Sequence, residues 1–151
     1  MKIDKRKYFN FLEKELFKKK YKDVLDDKLR DVAPDCAGVY AVFKNDKLIY
    51  IGESGNVKKR VCSDMRQTYN HALRKYIGRE LCGKDKEFVD ASSSKKFPDL
   101  IEEKVNEYLK KCTVSFLPIE LGRVEFEEAM VEKHKPKFNV KKKRKIVYGT
   151  F

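Results

Sequence analysis

Nowhere in this chain does an apolar run approach the roughly 20 residues that a membrane-spanning helix needs. The first ten residues, MKIDKRKYFN, also lack the apolar centre of a signal peptide. The expectation is a soluble, intracellular protein, cytoplasmic and with no membrane partner. Cys36, Cys62, Cys82 and Cys112 form no Cys-x-x-Cys pair, and His71 and His134 add no zinc-ligand spacing. The thiols therefore read as reduced or as small core residues. No internal repeat is present. Acid is also scarce, with Asp+Glu 24 against Lys+Arg 36 and a formal charge of +12. An excess of that size favours polyanions. Nucleic acid is the natural candidate, because each neutralised phosphate releases counterions.

A length of 151 residues suits one domain with a real core. Its organising stretch is 38–60, GVYAVFKNDKLIYIGESGNVKKR. Two β-branched and aromatic runs, 38–43 and 48–52, flank a polar turn at 44–47, which is a hairpin pattern. Asn56 or Ser54 can cap a following helix in which Val57, Val61 and Met65 recur at helical spacing. Tyr40 and Tyr50 share parity along the chain. A regular two-residue turn at Asn45-Asp46 would put them on opposite faces of the sheet. A shared site therefore requires a three- or five-residue connection, or a bulge.

Before the hairpin, Tyr8, Leu12 and Leu16, and then Phe17 and Tyr21, recur every fourth residue, as in an amphipathic helix. That helix either packs on the sheet or forms a basic arm for nucleic acid or a partner, and Pro34 ends any continuation. After Met65, residues 69–82 carry a second helical pattern through Leu73, Tyr76, Ile77 and Leu81, with Gly83 as a stop. A polar Ser/Lys loop follows at 90–98, then a helix over 100–109 striped by Ile101, Val105 and Leu109. Residues 112–119 read as a third strand, and 122–134 as a closing helix that Pro136 cannot extend. The fold class is α/β (α+β), a small, mostly antiparallel three-stranded sheet surrounded by helices. The expected organisation is an N-terminal helical extension (1–34), a central domain (35–140) and a basic tail (141–151).

In the closing helix, an advance of about 100° per residue places Glu127 within the apolar arc of Val124, Phe126, Met130 and Val131. Glu125, Glu128 and Glu132 fall on the other side. A carboxylate in a core-facing arc needs a partner, which a bound Mg2+ or Arg60 would supply. Magnesium suits a lone carboxylate because it keeps several waters and takes phosphate oxygens as ligands. Arg60 presents a fixed charge and a planar donor fork suited to phosphate, and Asp64, four residues on, offers it an ion pair.

The ordered set Gly38-Val39-Tyr40, Tyr50-Ile51-Gly52, Arg60, the acidic helix around 126–131 and Lys135-Pro136-Lys137-Phe138-Asn139 resembles the GIY-YIG nuclease family over residues 38–139. The resemblance implies a Mg2+-dependent nuclease, with Mn2+ as a possible substitute, that cleaves nucleic-acid phosphodiesters and is most simply a DNA endonuclease. It implies a catalytic set of Tyr40, Tyr50, Arg60, Glu127 and Asn139. Tyr40 would take the proton from the attacking water, Tyr50 would position water or phosphate, Glu127 would hold the metal, and Asn139 would brace the site. A tyrosine with a reference pKa of about 10 can serve if a guanidinium or metal-bound water lowers that value, or if it relays a proton. Asp64 stands where many members carry Tyr or His, and Glu53 where excision-repair members are often basic.

Candidate phosphate contacts are Lys58, Lys59, Lys95, Lys96, Lys141, Lys142, Lys143 and Arg144. One site per chain implies a homodimer on substrate, or two encounters, for cutting both strands. The alternative reading is a catalytically weak or inactive nucleic-acid-binding module of the same fold. A third, a protein-interaction adaptor built on the N-terminal helix, leaves the tyrosine, arginine and glutamate set unexplained.

Overall fold

A computed structural model describes residues 4–140. Its centre is a four-stranded antiparallel sheet in the order β1-β4-β2-β3, from Tyr21–Lys22 (β1), Gly38–Lys44 (β2), Lys47–Ser54 (β3) and Thr113–Pro118 (β4). The fourth strand is a departure from the three expected. The amino-terminal helix, α1 (Lys5–Phe17), stops at Phe17 instead of running on through Tyr21. After Lys18-Lys19-Lys20, Tyr21 and Lys22 pair with Val114 and Thr113. Two residues show no period-2 pattern, and the four-residue step from Phe17 to Tyr21 imitates a helix.

Both faces of the sheet are covered. On one face Val39, Ala41, Phe43 and Ile51 pack with Leu12 and Leu16 of α1 and with Phe126 and Met130 of α5 (Arg123–His134). The first helix thus packs on the sheet. Asp4 caps it, Tyr8 donates to the Leu121 carbonyl, and Glu13 holds Lys133 and His134. On the other face Tyr40, Val42, Ile49 and Val114 meet Val57 and Val61 of α2 (Val57–Cys62), Leu73 and Ile77 of α3 (Ala72–Cys82), and Ile101, Val105 and Leu109 of α4 (Asp99–Lys110). Helix α2 ends at Cys62, short of the expected Met65; a 3-10 turn, Asp64–Arg66, continues and still buries Met65. Leu81, read as part of the α3 stripe, is exposed. All four cysteines are free, and three of them are buried.

The hairpin connection is the two-residue turn Asn45-Asp46, both with positive φ, as a tight type I′ turn requires. By itself it would separate the two tyrosines. Val42 pairs with Tyr50 but Phe43 pairs with Leu48, so Ile49 is the extra residue of a β-bulge. The bulge resets parity, and Tyr40, Val42, Ile49 and Tyr50 all belong to the same face.

Candidate active site

Two glycines permit the central strand geometry. A Cβ at Gly38 would lie 2.2 Å from the Leu117 carbonyl oxygen of β4. A Cβ at Gly52, the cross-strand partner of Tyr40, would lie 2.4 Å from the Tyr40 hydroxyl. The Tyr40 ring therefore lies over bare backbone. Its centroid is 6.1 Å from that of Tyr50, and the His71 ring stands edge-on to both, at 5.9 and 5.7 Å.

Arg60 reaches this cluster from α2, whose start Asn56 caps by accepting from Lys59 N. It hydrogen-bonds to Tyr40, donates from Nη1 to the Asn70 carbonyl at 2.7 Å, and pairs with Asp64 Oδ2 at 3.4 Å. Arg60 thus takes the ion pair that its spacing suggested and meets Tyr40 as well. Glu127 comes from α5, which lies on the opposite face beside edge strand β3, yet its charge raises the pKa of Tyr50. The site therefore joins groups from both sides of the sheet. Glu125, Glu128 and Glu132 instead line a groove with Lys5, Arg6 and Phe9 of α1.

Asn139 closes the β3 edge. Its side chain accepts from Ile51 N at 2.9 Å and donates to Ile51 O at 2.8 Å, while Phe138 N donates to the carbonyl of the bulged Ile49. These bonds satisfy the edge next to Tyr50 that would otherwise stay open. Glu53 accepts from Arg123 Nε at 2.9 Å. Lys58 and Lys59 flank Arg60 on α2, whereas Lys95 and Lys96 lie in the loop before α4, where Lys96 pairs with Asp99. None of the contacts described for Lys95 and Lys96 reaches the tyrosines. Lys141, Lys142, Lys143 and Arg144 lie outside the described residues.

Burial pushes the Tyr40 phenol well above its ordinary pKa; Tyr50 adds to the rise, and Arg60 opposes it without prevailing. Burial also raises Tyr50, against Arg60 and the Tyr40 hydrogen bond, with Glu127 adding to the rise. Both are neutral phenols near neutral pH. Arg60 by itself does not lower the Tyr40 pKa below its ordinary value, and a neutral Tyr40 can take part by proton relay.

His71 is the residue that sequence reasoning missed. It is fully buried, and its Nε2 lies 2.7 Å from the Tyr40 hydroxyl. Burial, reinforced by Arg60, Arg74 and Lys75, drives its pKa well below the usual imidazole value. The sequence signal was slight: a polar residue just before the periodic run of α3, which the structure shows to be the helix N-cap. Arg74, also buried, fastens this segment, donating to Thr68 Oγ1, the Met65 carbonyl, Glu102 Oε2 and Asn106 Oδ1.

Among the described residues no group of three or more His, Cys, Asp or Glu could enclose a metal ion. A zinc-type cage is not formed by these residues. A lone carboxylate fits an ion that keeps most of its waters and takes phosphate oxygens, the habit of magnesium.

The GIY-YIG catalytic domain is the sequence family that matches, over residues 8–151. No curated protein matches. Similar solved structures include the GIY-YIG N-terminal endonuclease domain of UvrC from Thermotoga maritima with its catalytic divalent cation, magnesium. That domain is 19% identical, with 77% of this chain and 100% of that chain covered and a TM-score of 0.40. A tyrosine-to-phenylalanine point mutant of the same domain, bound to the catalytic divalent cation, is 18% identical over 76% of this chain and 93% of that one, with a TM-score of 0.41.

Proposed function

The chain belongs to the GIY-YIG catalytic-domain family and is a nuclease, and on that premise we propose that it is a Mg2+-dependent DNA endonuclease whose reaction centre is Tyr40, Tyr50, Arg60 and Glu127. The observation that carries the reading is the meeting of Arg60 with two buried phenols beside a carboxylate that acts electrostatically on one of them. Glu127 would hold the divalent cation, with Mn2+ as a substitute. When bound, such an ion acidifies water and stabilises charge on phosphate and leaving oxygens.

The chain's own residues supply the rest. Arg60, fixed by the Asn70 carbonyl, offers its remaining donors to a non-bridging phosphate oxygen. Tyr40 is neutral, so it receives a proton from the attacking water only as it passes its own, past Tyr50, to an oxygen of the phosphodiester being cleaved. Tyr50 lies beside it to orient water or phosphate. Asn139 acts through the strand edge it braces, not on the substrate. Lys58 and Lys59 extend the positive surface next to Arg60. A single centre cuts one strand, so duplex cleavage calls for two copies on the substrate or two successive encounters.

The test is cleavage of labelled duplex, single-stranded and branched DNA with Mg2+, with Mn2+ and with chelator. Glu127→Gln is expected to lower turnover about a hundredfold to a thousandfold while DNA affinity stays similar or rises. Unchanged turnover would remove Glu127 from the mechanism. One observation favours a second reading, a binding module with weak or no activity. Asp64 partly neutralises Arg60 at 3.4 Å. Salt-sensitive DNA binding without metal-dependent product on any substrate would select it.

A further inference from the structure

The imidazole of His71 sits between two hydrogen-bonding partners that fix its tautomer. Nδ1 faces the backbone N–H of Leu73 at 3.2 Å, where it caps α3. A nitrogen that accepts there carries no hydrogen, so in the neutral ring the hydrogen is on Nε2. Nε2 lies 2.7 Å from the Tyr40 hydroxyl oxygen. The bond therefore runs from His71 to Tyr40, and the phenol oxygen accepts.

We propose that His71 is a positioning residue for the reaction: by donating Nε2–H to Tyr40 Oη, it keeps the phenol's own hydrogen turned away from the imidazole and toward the Tyr50 and Arg60 side of the cluster. A phenol has one hydrogen. Were the imidazole the acceptor, that hydrogen would be committed to a ring whose protonation burial and the cations Arg60, Arg74 and Lys75 oppose. With the imidazole as donor, the second lone pair of Oη is the one that Arg60 and an incoming water share, while its O–H points toward Tyr50 and the phosphate side.

The surroundings enforce this arrangement. The segment that carries His71 also supplies the Asn70 carbonyl to Arg60, so one turn orients both the arginine and the tyrosine. It is held by Thr68, which donates to Glu102 Oε2 at 2.6 Å and accepts from Arg74 Nε at 3.0 Å. Arg74 is 1% exposed and His71 0%, so water has no access to substitute for either contact. Arg60, Arg74 and Lys75 all oppose a second proton on the ring, which preserves its donor-acceptor polarity.

This inference rests on the role given to Tyr40 above. Two substitutions separate the imidazole's two bonds. In His71→Asn the side-chain oxygen can still cap Leu73, but nothing reaches Tyr40. In His71→Gln the amide nitrogen can reach Tyr40, but the cap is weakened. His71→Asn is expected to lower kcat per folded molecule on labelled duplex DNA with Mg2+ about tenfold or more, with KM close to wild type and a thermal midpoint lowered by the unmade buried bond. His71→Gln should recover most of that turnover despite a lower thermal midpoint. In a Tyr40→Phe background His71→Asn should add little, because the two act as a unit.

Equal losses in both variants that follow the thermal midpoint, or a full further loss in the Tyr40→Phe background, would overturn the proposal and leave the nuclease reading standing. If wild type makes no product, that reading fails, and nitrogen-15 NMR of the labelled full chain still decides the His71 bond. The Nε2–H tautomer is expected between about pH 6 and 8; the Nδ1–H tautomer would sink the proposal.

Discussion

The two faces of the sheet are built from the same strands yet differ in kind. The face under α1 and α5 buries Val39, Ala41, Phe43 and Ile51 among Leu12, Leu16, Phe126 and Met130. The face under α2, α3 and α4 buries an equally apolar set but also Tyr40, His71, Thr68 and Arg74. Apolar contact is non-directional, so it stabilises without fixing where a given atom lies. Buried hydrogen bonds are directional, and leaving one unmade is costly. The first face supplies stability, while the second also fixes the positions of its polar atoms.

Leu16→Ala tests the apolar face, where the side chain is fully buried. It should lower unfolding free energy by about 2–5 kcal/mol, measured by urea denaturation, with cleavage per folded molecule unchanged. A matching loss of turnover would erase the distinction between the faces.

Gly52→Ala, a single methyl on the other face, should reverse that pattern. The new Cβ meets the Tyr40 hydroxyl at 2.4 Å in a packed site, so the ring must shift. The stability cost is expected at about 1–3 kcal/mol. Misplacing the phenol should reduce turnover about a hundredfold, the cost of a displacement near 1 Å. Wild-type turnover in this variant would show that the position of Tyr40 is immaterial.

The smallest effect is one of pH. His71 is held neutral in the fold, with its pKa well below the value near 6.5 that it regains on unfolding. Below that value the unfolded chain binds a proton that the folded chain refuses. Stability therefore falls as pH falls, by at most about 1.4 kcal/mol per pH unit until the folded pKa is reached. Urea midpoints from neutral to mildly acid pH should show this slope in wild type and lose it in His71→Asn. An identical slope in both would assign the acid sensitivity elsewhere.

Much of this was legible locally. The parity of Tyr40 and Tyr50 demanded a break in regular pairing, and the bulge at Ile49 provides it. The stripe Ile101, Val105 and Leu109 is buried as α4. Glu127 is half-buried and Glu128 and Glu132 are exposed, as helical period suggested, but Glu125, expected on the exposed side with them, is half-buried too. Strand β1 was not legible, since two residues carry no period and their partners lie about ninety positions away by the sheet's own pairing.

The sequence by itself determined the elements, the ordered triplets with their glycines, and the residue types able to act on a phosphodiester, because these depend on short-range periodicity and on backbone sterics. The tertiary structure alone decided that His71, 31 positions from Tyr40, lies 2.7 Å from its hydroxyl. It alone decided that the charge of Glu127 acts on Tyr50 from the other side of the sheet and that burial outweighs Arg60 at both phenols. Hydrogen-bond direction and desolvation depend on what surrounds an atom in space, and sequence spacing carries no record of either.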